Sequence, residues 1–139
     1  MRVLGIDLGS RRIGVAVSDP GGVLASPVTV LARSGDPAAD HRAIAALAAE
    51  WGAGRIVVGL PLSLDGSMGP AARAAADEAE ALAAVAGVPV EVADERLTTV
   101  TADRAMRQAA PKRGARDRRR TIDAAAAAVL LQTWLDGRR

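Results

Sequence analysis

The sequence predicts an α/β domain built on a five-stranded mixed sheet, and three observations support this prediction. The chain has 139 residues, a length that suits one domain with its own core. Three apolar runs near the N-terminus are joined by tight turns, which predicts an antiparallel meander. Two later runs are reached through segments with apolar residues at helical spacing, which predicts parallel strands with right-handed crossovers. We therefore expect a single domain over residues 1–139, with helices flanking the sheet.

The meander is predicted from strands at 2–8, 12–18 and 23–31. Glycine and polar residues at 9–12 turn the chain after the first strand, and Asp19-Pro20-Gly21-Gly22 reverses it after the second. Pro27 has no amide proton to give to a neighbouring strand. The third strand should therefore lie at the edge of the sheet.

The second half of the chain alternates helices with strands. A first helix should end at Trp51-Gly52, and His41 is interpreted as a solvated residue in its first turn. Thr98 or Thr99 can cap a further helix. Apolar residues at helical spacing over 43–49 mark the first helix, and further helices are expected at 71–86, at about 100–109 and from 121 onward. Strands are expected between them at 55–60 and 88–93.

Composition excludes several classes of protein. The chain has no cysteine, which excludes disulfides and thiolate metal sites and fits a cytoplasmic protein. Its apolar runs are all shorter than the ~20 residues of a membrane span, and its first residues lack the features of a signal peptide. We expect a cytoplasmic location and no membrane partner.

Basic residues are concentrated in one region. Eight of the 18 basic residues fall between Arg104 and Arg120, where Asp117 is the only acid. Arginine suits bidentate contacts to phosphate, although a solvated segment is the alternative explanation of such a run. We expect a loop from Pro111 to Arg120. Two tryptophans and no phenylalanine or tyrosine disfavour base stacking. Any contact to nucleic acid should therefore be made mainly to its backbone.

Carboxylates occur at three informative places. Asp7 lies in an apolar run between Gly5 and Gly9, and a buried strand accommodates a charge only when the charge is paired or binds a metal. Asp94-Glu95 ends the fifth strand, and Asp123 begins the last helix. If the first strand is central, these acids can converge at one end of the sheet.

A convergent group of this kind would suit divalent metal chemistry. Carboxylate oxygens are the ligands that Mg²⁺ and Mn²⁺ prefer, and two such ions roughly 3.5–4 Å apart can activate water and stabilise the leaving oxygen of a phosphodiester. The neighbouring basic loop would then hold the substrate backbone. Simpler explanations also stand: Asp94 and Glu95 could be surface residues paired with Arg96, and Asp123 could stabilise the positive end of a helix.

Four segments resemble the four motifs of the bacterial YqgF/RuvX family, in order and along essentially the whole chain. They are GIDLGSRRIGVA at 5–16, VGLPLSLDGS at 58–67, DERLTT at 94–99 and DAAAAAVLLQ at 123–132. The resemblance implies an RNase H-like three-layer α/β fold, with strand order 3-2-1-4-5 and strand 2 antiparallel. It also implies a nuclease that matures the precursor of small-subunit ribosomal RNA, in a family earlier described as Holliday junction resolvases.

The resemblance also implies roles for individual residues. Asp7, Glu95 and Asp123 would be the catalytic metal ligands for Mg²⁺ or Mn²⁺, with Asp94 as a second choice. The resemblance implies substrate binding by Arg96, Thr98 and Ser63, and the basic loop adds Lys112, Arg113 and Arg116 as expected substrate-binding residues. The expected partners are structured RNA or branched DNA and ribosomal precursor particles, bound by a monomer or a homodimer.

Two other function classes stay open from the sequence. A catalytically silent RNA-binding or ribosome-assembly factor would keep the basic region and tolerate the loss of Asp7. A phosphate-binding kinase of the sugar-kinase and actin type is suggested by residues 5–10, which resemble its first phosphate motif. Such kinases duplicate the domain, and a single copy in 139 residues argues against this class.

Overall fold

The computed structural model describes residues 1–95 and 115–138. In this part of the chain the strands and helices alternate as the sequence predicts. The elements are β1 (Arg2–Leu8), β2 (Arg12–Ser18), β3 (Ala25–Ala32), α1 (Pro37–Trp51), β4 (Ala53–Leu60), α2 (Pro70–Ala86), β5 (Val90–Asp94) and α3 (Ala115–Asp136). The expected helix at 100–109 lies outside the described residues.

The five strands form one mixed sheet in the order β3-β2-β1-β4-β5. β1 pairs antiparallel with β2 and parallel with β4, and β4 pairs parallel with β5. The predicted strand order is therefore confirmed, and β1 is central. β3 is an edge strand, and the β2–β3 register shifts next to the pair formed by Ala16 and Pro27, as the missing amide proton of a proline would favour.

Alternation along the strands gives the sheet two different faces. Side chains such as Leu4, Ile6, Val15 and Ile56 point to one face and form a core with residues of α1 and α2. On the opposite face Val3, Ala16 and Val57 pack against Ala127, Ala128 and Leu131 of α3. In the described part of the chain, the layers are thus α1 with α2, the sheet, and α3, with small residues where α3 meets the sheet.

Local chemistry explains where α1 and α2 begin and end. The Asp36 side chain accepts a hydrogen bond from the amide of Ala38, and Pro37 follows at the first helical position. Gly52 and Gly87 end the two helices with φ of 65° and 73°, a region that favours glycine. Both ends were predicted from the sequence, the first from the Trp51-Gly52 pair and the second from Gly87.

The start of β3 differs from the sequence expectation by two residues. The amides of Val23 and Leu24 donate to Oδ1 of Asp19 at 2.7 and 2.9 Å, so these residues complete the turn after β2. The Gln132 side chain then donates to the carbonyl of Val23 and accepts from the amide of Ala25. An aspartate-centred turn therefore delays the strand.

The last helix begins earlier than expected. The basic stretch was expected to be a loop as far as Arg120, but residues 115–120 are helical and belong to α3. Alanine and arginine are good helix formers, and this segment continues without a break into the alanine run. No helix among the described residues is long and apolar enough to cross a membrane.

Candidate active site

Asp7 lies near the carboxyl end of the central strand, on the face that α3 covers. It directly faces Gly14 of β2 in the antiparallel register. The residues that precede it on the same face are Val3 and Gly5, and an added side-chain carbon at Gly5 would lie 2.8 Å from Cβ of Leu131. The surface next to Asp7 is therefore shaped by glycines that let the helix approach closely.

Glu95 follows directly after β5, at the same end of the sheet. Gly59 of β4 lies beneath its side chain, because an added Cβ there would come within 2.6 Å of the Glu95 Oε1 atom. The parallel β4–β5 register, in which Leu60 faces Asp94, aligns the carboxyl ends of these two strands. Glu95 can therefore reach across Gly59 toward the central strand.

Asp123 comes from the helix that lies over the sheet. A Cβ added at Gly14 would lie closer than 3.0 Å to the backbone carbonyl oxygen of Asp123, so α3 touches the sheet at this point. The alternative explanation that Asp123 only stabilises a helix N-terminus is wrong, because α3 begins at Ala115 and Asp123 lies in its third turn. The macrodipole acts within the first turn only.

The carboxyl groups of Asp7 and Glu95 share a hydrogen bond. Burial raises the pKa of Glu95 to about 7, helped by the charge of Asp7, the hydrogen bond to it and the charge of Asp94. Burial also raises the pKa of Asp7, in part offset by the hydrogen bond from Glu95, and the charge of Asp123 raises it further. These shifts favour a proton shared between the two carboxyl groups, and the charges of Asp94 and Asp123 act on the same pair.

Asp123 has a cationic partner that the sequence did not reveal. Nε of Arg12 donates to Oδ2 of Asp123 at 2.6 Å, and about one third of each side chain is exposed. Arg12 begins β2, immediately after the turn that follows Asp7. The sequence offered one signal, because Arg12 lies within the first of the four motifs, at 5–16.

The donor set fits a hard divalent cation. Two carboxyl groups that meet are held together only by a proton or a cation, and carboxylate oxygens suit Mg²⁺ or Mn²⁺. As the side chains stand, no group of three acids or histidines among the described residues is arranged to hold a metal ion. Asp7 and Glu95 are hydrogen-bonded to each other, whereas Asp123 forms a salt bridge with Arg12.

The other predicted site residues fall into two groups. Ser63 is exposed in the loop after β4, where its amide donates to the carbonyl of Ser67 and its own carbonyl accepts from the amide of Gly66. Arg116 lies within α3. The remaining predicted substrate-binding residues, Arg96, Thr98, Lys112 and Arg113, lie outside the described residues.

A second polar cluster supports the turn next to Asp7. Arg33, just after β3, donates through Nε to the carbonyl of Gly9 at 3.0 Å and through its two terminal nitrogens to Glu78 at 2.6 and 3.0 Å. His41 also contacts Glu78, at 3.1 Å. The interpretation of His41 as a solvated residue is wrong: it is 5% exposed, because α1 packs against α2 and directs it at this carboxylate.

Glu78→Gln is expected to reduce stability in a pH-dependent way. Burial alone would raise the pKa of Glu78, but hydrogen bonds from Arg33 and His41 outweigh burial and lower it from 4.5. A carboxylate with a lowered folded-state pKa stabilises the protein above its unfolded pKa, and this contribution is lost as the pH falls through the folded value. We expect a cost of about 2 kcal/mol at pH 7, shrinking below about pH 4.5.

Urea unfolding of both proteins between pH 3 and pH 7 measures this difference. Glu80→Gln is the matched control, because Glu80 is exposed on the same helix. A difference between wild type and Glu78→Gln that stays constant across this pH range would contradict the expectation.

Comparison with known proteins places the chain in a family. A family model described as RuvX, Holliday junction resolvase, matches residues 1–137. The chain belongs to the RuvX family. The resemblance inferred from the four motifs is therefore confirmed over nearly the entire chain.

Curated RuvX relatives support this assignment. Proteins named "Putative pre-16S rRNA nuclease" from Mycobacterium sp. (strain KMS) and Mycobacterium tuberculosis (strain ATCC 25177 / H37Ra) are each 51% identical to this chain. The matches cover 99% of this chain and 81% and 79% of the relatives. Such identity over nearly the whole chain indicates a common fold.

Solved structures confirm the fold independently of sequence. RuvC from Thermus thermophilus matches with a TM-score of 0.61 at 19% identity, covering 99% of this chain and 96% of RuvC. A second structure, T. thermophilus RuvC in complex with a Holliday junction substrate, matches with a TM-score of 0.63 at 18% identity, covering 99% and 95%. The predicted RNase H-like fold is therefore confirmed.

Proposed function

We propose that this RuvX protein is an endonuclease that uses Mg²⁺ or Mn²⁺ to hydrolyse phosphodiester bonds in the precursor of 16S ribosomal RNA. The observation that carries the proposal is the meeting of Asp7 and Glu95 beside Asp123, from a strand, a strand end and a helix. Its relatives carry the name of such a nuclease, which supports the choice of substrate.

Four acids would hold the metal ions. Asp7, Glu95 and Asp123 are the proposed ligands. Asp94 is the alternative ligand, and its charge acts on Glu95. The bound ions would supply a nucleophilic hydroxide at neutral pH and would neutralise charge on the phosphodiester.

The chain's own residues prepare this site. Partial burial of the Asp7–Glu95 pair strengthens its interactions with any charge that enters. The proton between them must leave before both carboxyl groups can act as ligands. Gly14 and Gly59 keep the floor of the site free of side chains, so the acids can approach one another.

The basic sequence between Arg104 and Arg120 supports nucleic acid as the substrate. Its eight cations suit phosphate contacts, and the scarcity of aromatic residues disfavours recognition of bases by stacking. Contacts to the phosphate backbone bind RNA or DNA without recognising the nucleotide sequence. We propose a cytoplasmic protein that acts on ribosomal precursor particles as a monomer or a homodimer.

Cleavage assays on two substrates test this function. Purified protein with Mn²⁺ or Mg²⁺ should cut a fragment that spans the 5′ end of precursor 16S RNA, and chelation of the metal should stop the reaction. Absence of cleavage with either ion would contradict the proposal.

Branched DNA is the second candidate substrate, favoured by the description of the family model. A four-way DNA junction should be assayed beside the RNA under identical salt and metal conditions, because phosphate contacts depend strongly on salt. Preferential cleavage of the junction would select the DNA substrate. Tight RNA binding without cleavage of either substrate would favour a non-catalytic assembly factor.

A further inference from the structure

Arg12 forms a salt bridge with a carboxylate that the proposed metal ion would need as a ligand. Its Nε atom donates to Oδ2 of Asp123 at 2.6 Å, and Asp123 is one of the three proposed ligands. Among the described residues, Arg12 is the one cation that forms a salt bridge with Asp7, Glu95 or Asp123. The guanidinium therefore acts as the counter-charge of the site as it stands.

The backbone of Arg12 is fixed even though its side chain is partly exposed. The amide of Gly9 donates to the carbonyl of Arg12 at 2.9 Å, which closes the turn after β1, and Arg12 pairs with Ala32 of β3. The Arg33 side chain supports the same turn through the carbonyl of Gly9. Arg12 can therefore release Asp123 by rotating its side chain, without movement of the sheet.

A divalent ion and a guanidinium compete for the same oxygen. The cation would bind Asp123 through oxygen atoms of which one now accepts from Arg12. Once released, the guanidinium stays at the edge of the site with five donors, and its planar shape matches two oxygens of a phosphate. The Arg12 side chain is thus suited to bind first the Asp123 carboxylate and then a phosphate.

We propose that Arg12 competes with the divalent cation for Asp123 and, once displaced, contacts the phosphate of the substrate next to the bond that is cut. This inference rests on the proposed function and assigns Arg12 to substrate binding. It predicts opposite effects of one substitution: tighter metal binding and weaker substrate binding. A purely structural role for Arg12 would not separate these two quantities.

Calorimetric titration of the full chain with Mn²⁺ measures the first effect. Arg12→Gln is expected to bind Mn²⁺ about threefold to tenfold more tightly than wild type, because a partly exposed ion pair no longer opposes the metal. Arg11→Gln is the matched control, because Arg11 is the exposed neighbour in the same turn. In an Asp123→Asn background, the effect of Arg12→Gln should vanish.

Cleavage kinetics measure the second effect. At saturating Mn²⁺, Arg12→Gln should raise KM for the RNA about tenfold and leave kcat within about threefold, because a contact made equally in ground and transition states changes KM. Arg12→Lys keeps the charge and should lie between wild type and Arg12→Gln in both assays. Circular dichroism melting of each variant shows whether it is folded.

Each outcome decides a definite point. Equal or weaker Mn²⁺ binding by folded Arg12→Gln and Arg12→Lys, relative to Arg11→Gln, would overturn the competition. An unchanged KM would overturn the phosphate contact. Wild-type protein that neither binds Mn²⁺ nor cuts RNA would overturn the proposed function and this inference together, whereas wild-type cleavage with unaffected variants would overturn the inference alone.

Discussion

Asp7→Asn is expected to lower the rate of metal-dependent cleavage by at least about a thousandfold. A bound metal supplies several kcal/mol of transition-state stabilisation, and each 1.4 kcal/mol corresponds to a factor of ten in rate. Asparagine keeps the size of the side chain but removes the anionic oxygen that interacts with Glu95 and Asp123. Single-turnover cleavage of the precursor RNA fragment at saturating protein measures the effect.

The control for this variant is Asp77→Asn, the same chemical change at an exposed position of α2. It should cleave at the wild-type rate. Melting temperature and RNA affinity of Asp7→Asn should stay close to wild type, since the acid pair is costly to bury and its loss removes no apolar contact. Cleavage by Asp7→Asn within tenfold of wild type would remove the proposed role of Asp7.

Gly14→Ala is expected to destabilise the protein by at least about 3 kcal/mol, at the upper end of the cost of overpacking. The added carbon would collide with the backbone carbonyl of Asp123, and a helix backbone cannot turn aside as a flexible side chain can. Urea unfolding followed by circular dichroism measures the loss. Cleavage should fall as well, because relief of the collision moves Asp123 away from Asp7.

Gly69→Ala provides the comparison, because its nearest neighbour would be the Ser63 hydroxyl at 3.6 Å and its φ of −77° suits any residue. Gly69 is the N-cap of α2, where alanine is less favourable than glycine, so the loss should not exceed about 1 kcal/mol. A loss of less than about 1 kcal/mol for Gly14→Ala would show that α3 can shift on the sheet without difficulty.

The strands were predictable because their signals are local. Alternation, apolar runs and turn residues lie within a few positions of one another, and they placed β1 and β2 at their observed bounds. The prediction was less accurate where a side chain from elsewhere intervenes. β3 begins two residues late because Asp19 and Gln132 hold the preceding turn.

The helix that carries Asp123 shows a different limit. Arginines at 116 and 118–120 were predicted to lie in a basic, glycine-bearing loop from Pro111 to Arg120. Their helix propensity favours the observed extension of α3 to Ala115. The segment thus continues, toward the N-terminus, the helix whose alanine run packs against the sheet.

The amino-acid sequence alone determined the order of strands and helices, the carboxylates able to serve one site and the family likeness. Only the tertiary structure decided how the polar groups pair: Glu95 with Asp7, Arg12 with Asp123 and both Arg33 and His41 with Glu78. Arg12 and Asp123 are 111 positions apart. Periodicity and turn chemistry act over a few residues, whereas these partners meet only because glycines on the sheet let α3 and Glu95 approach within contact distance.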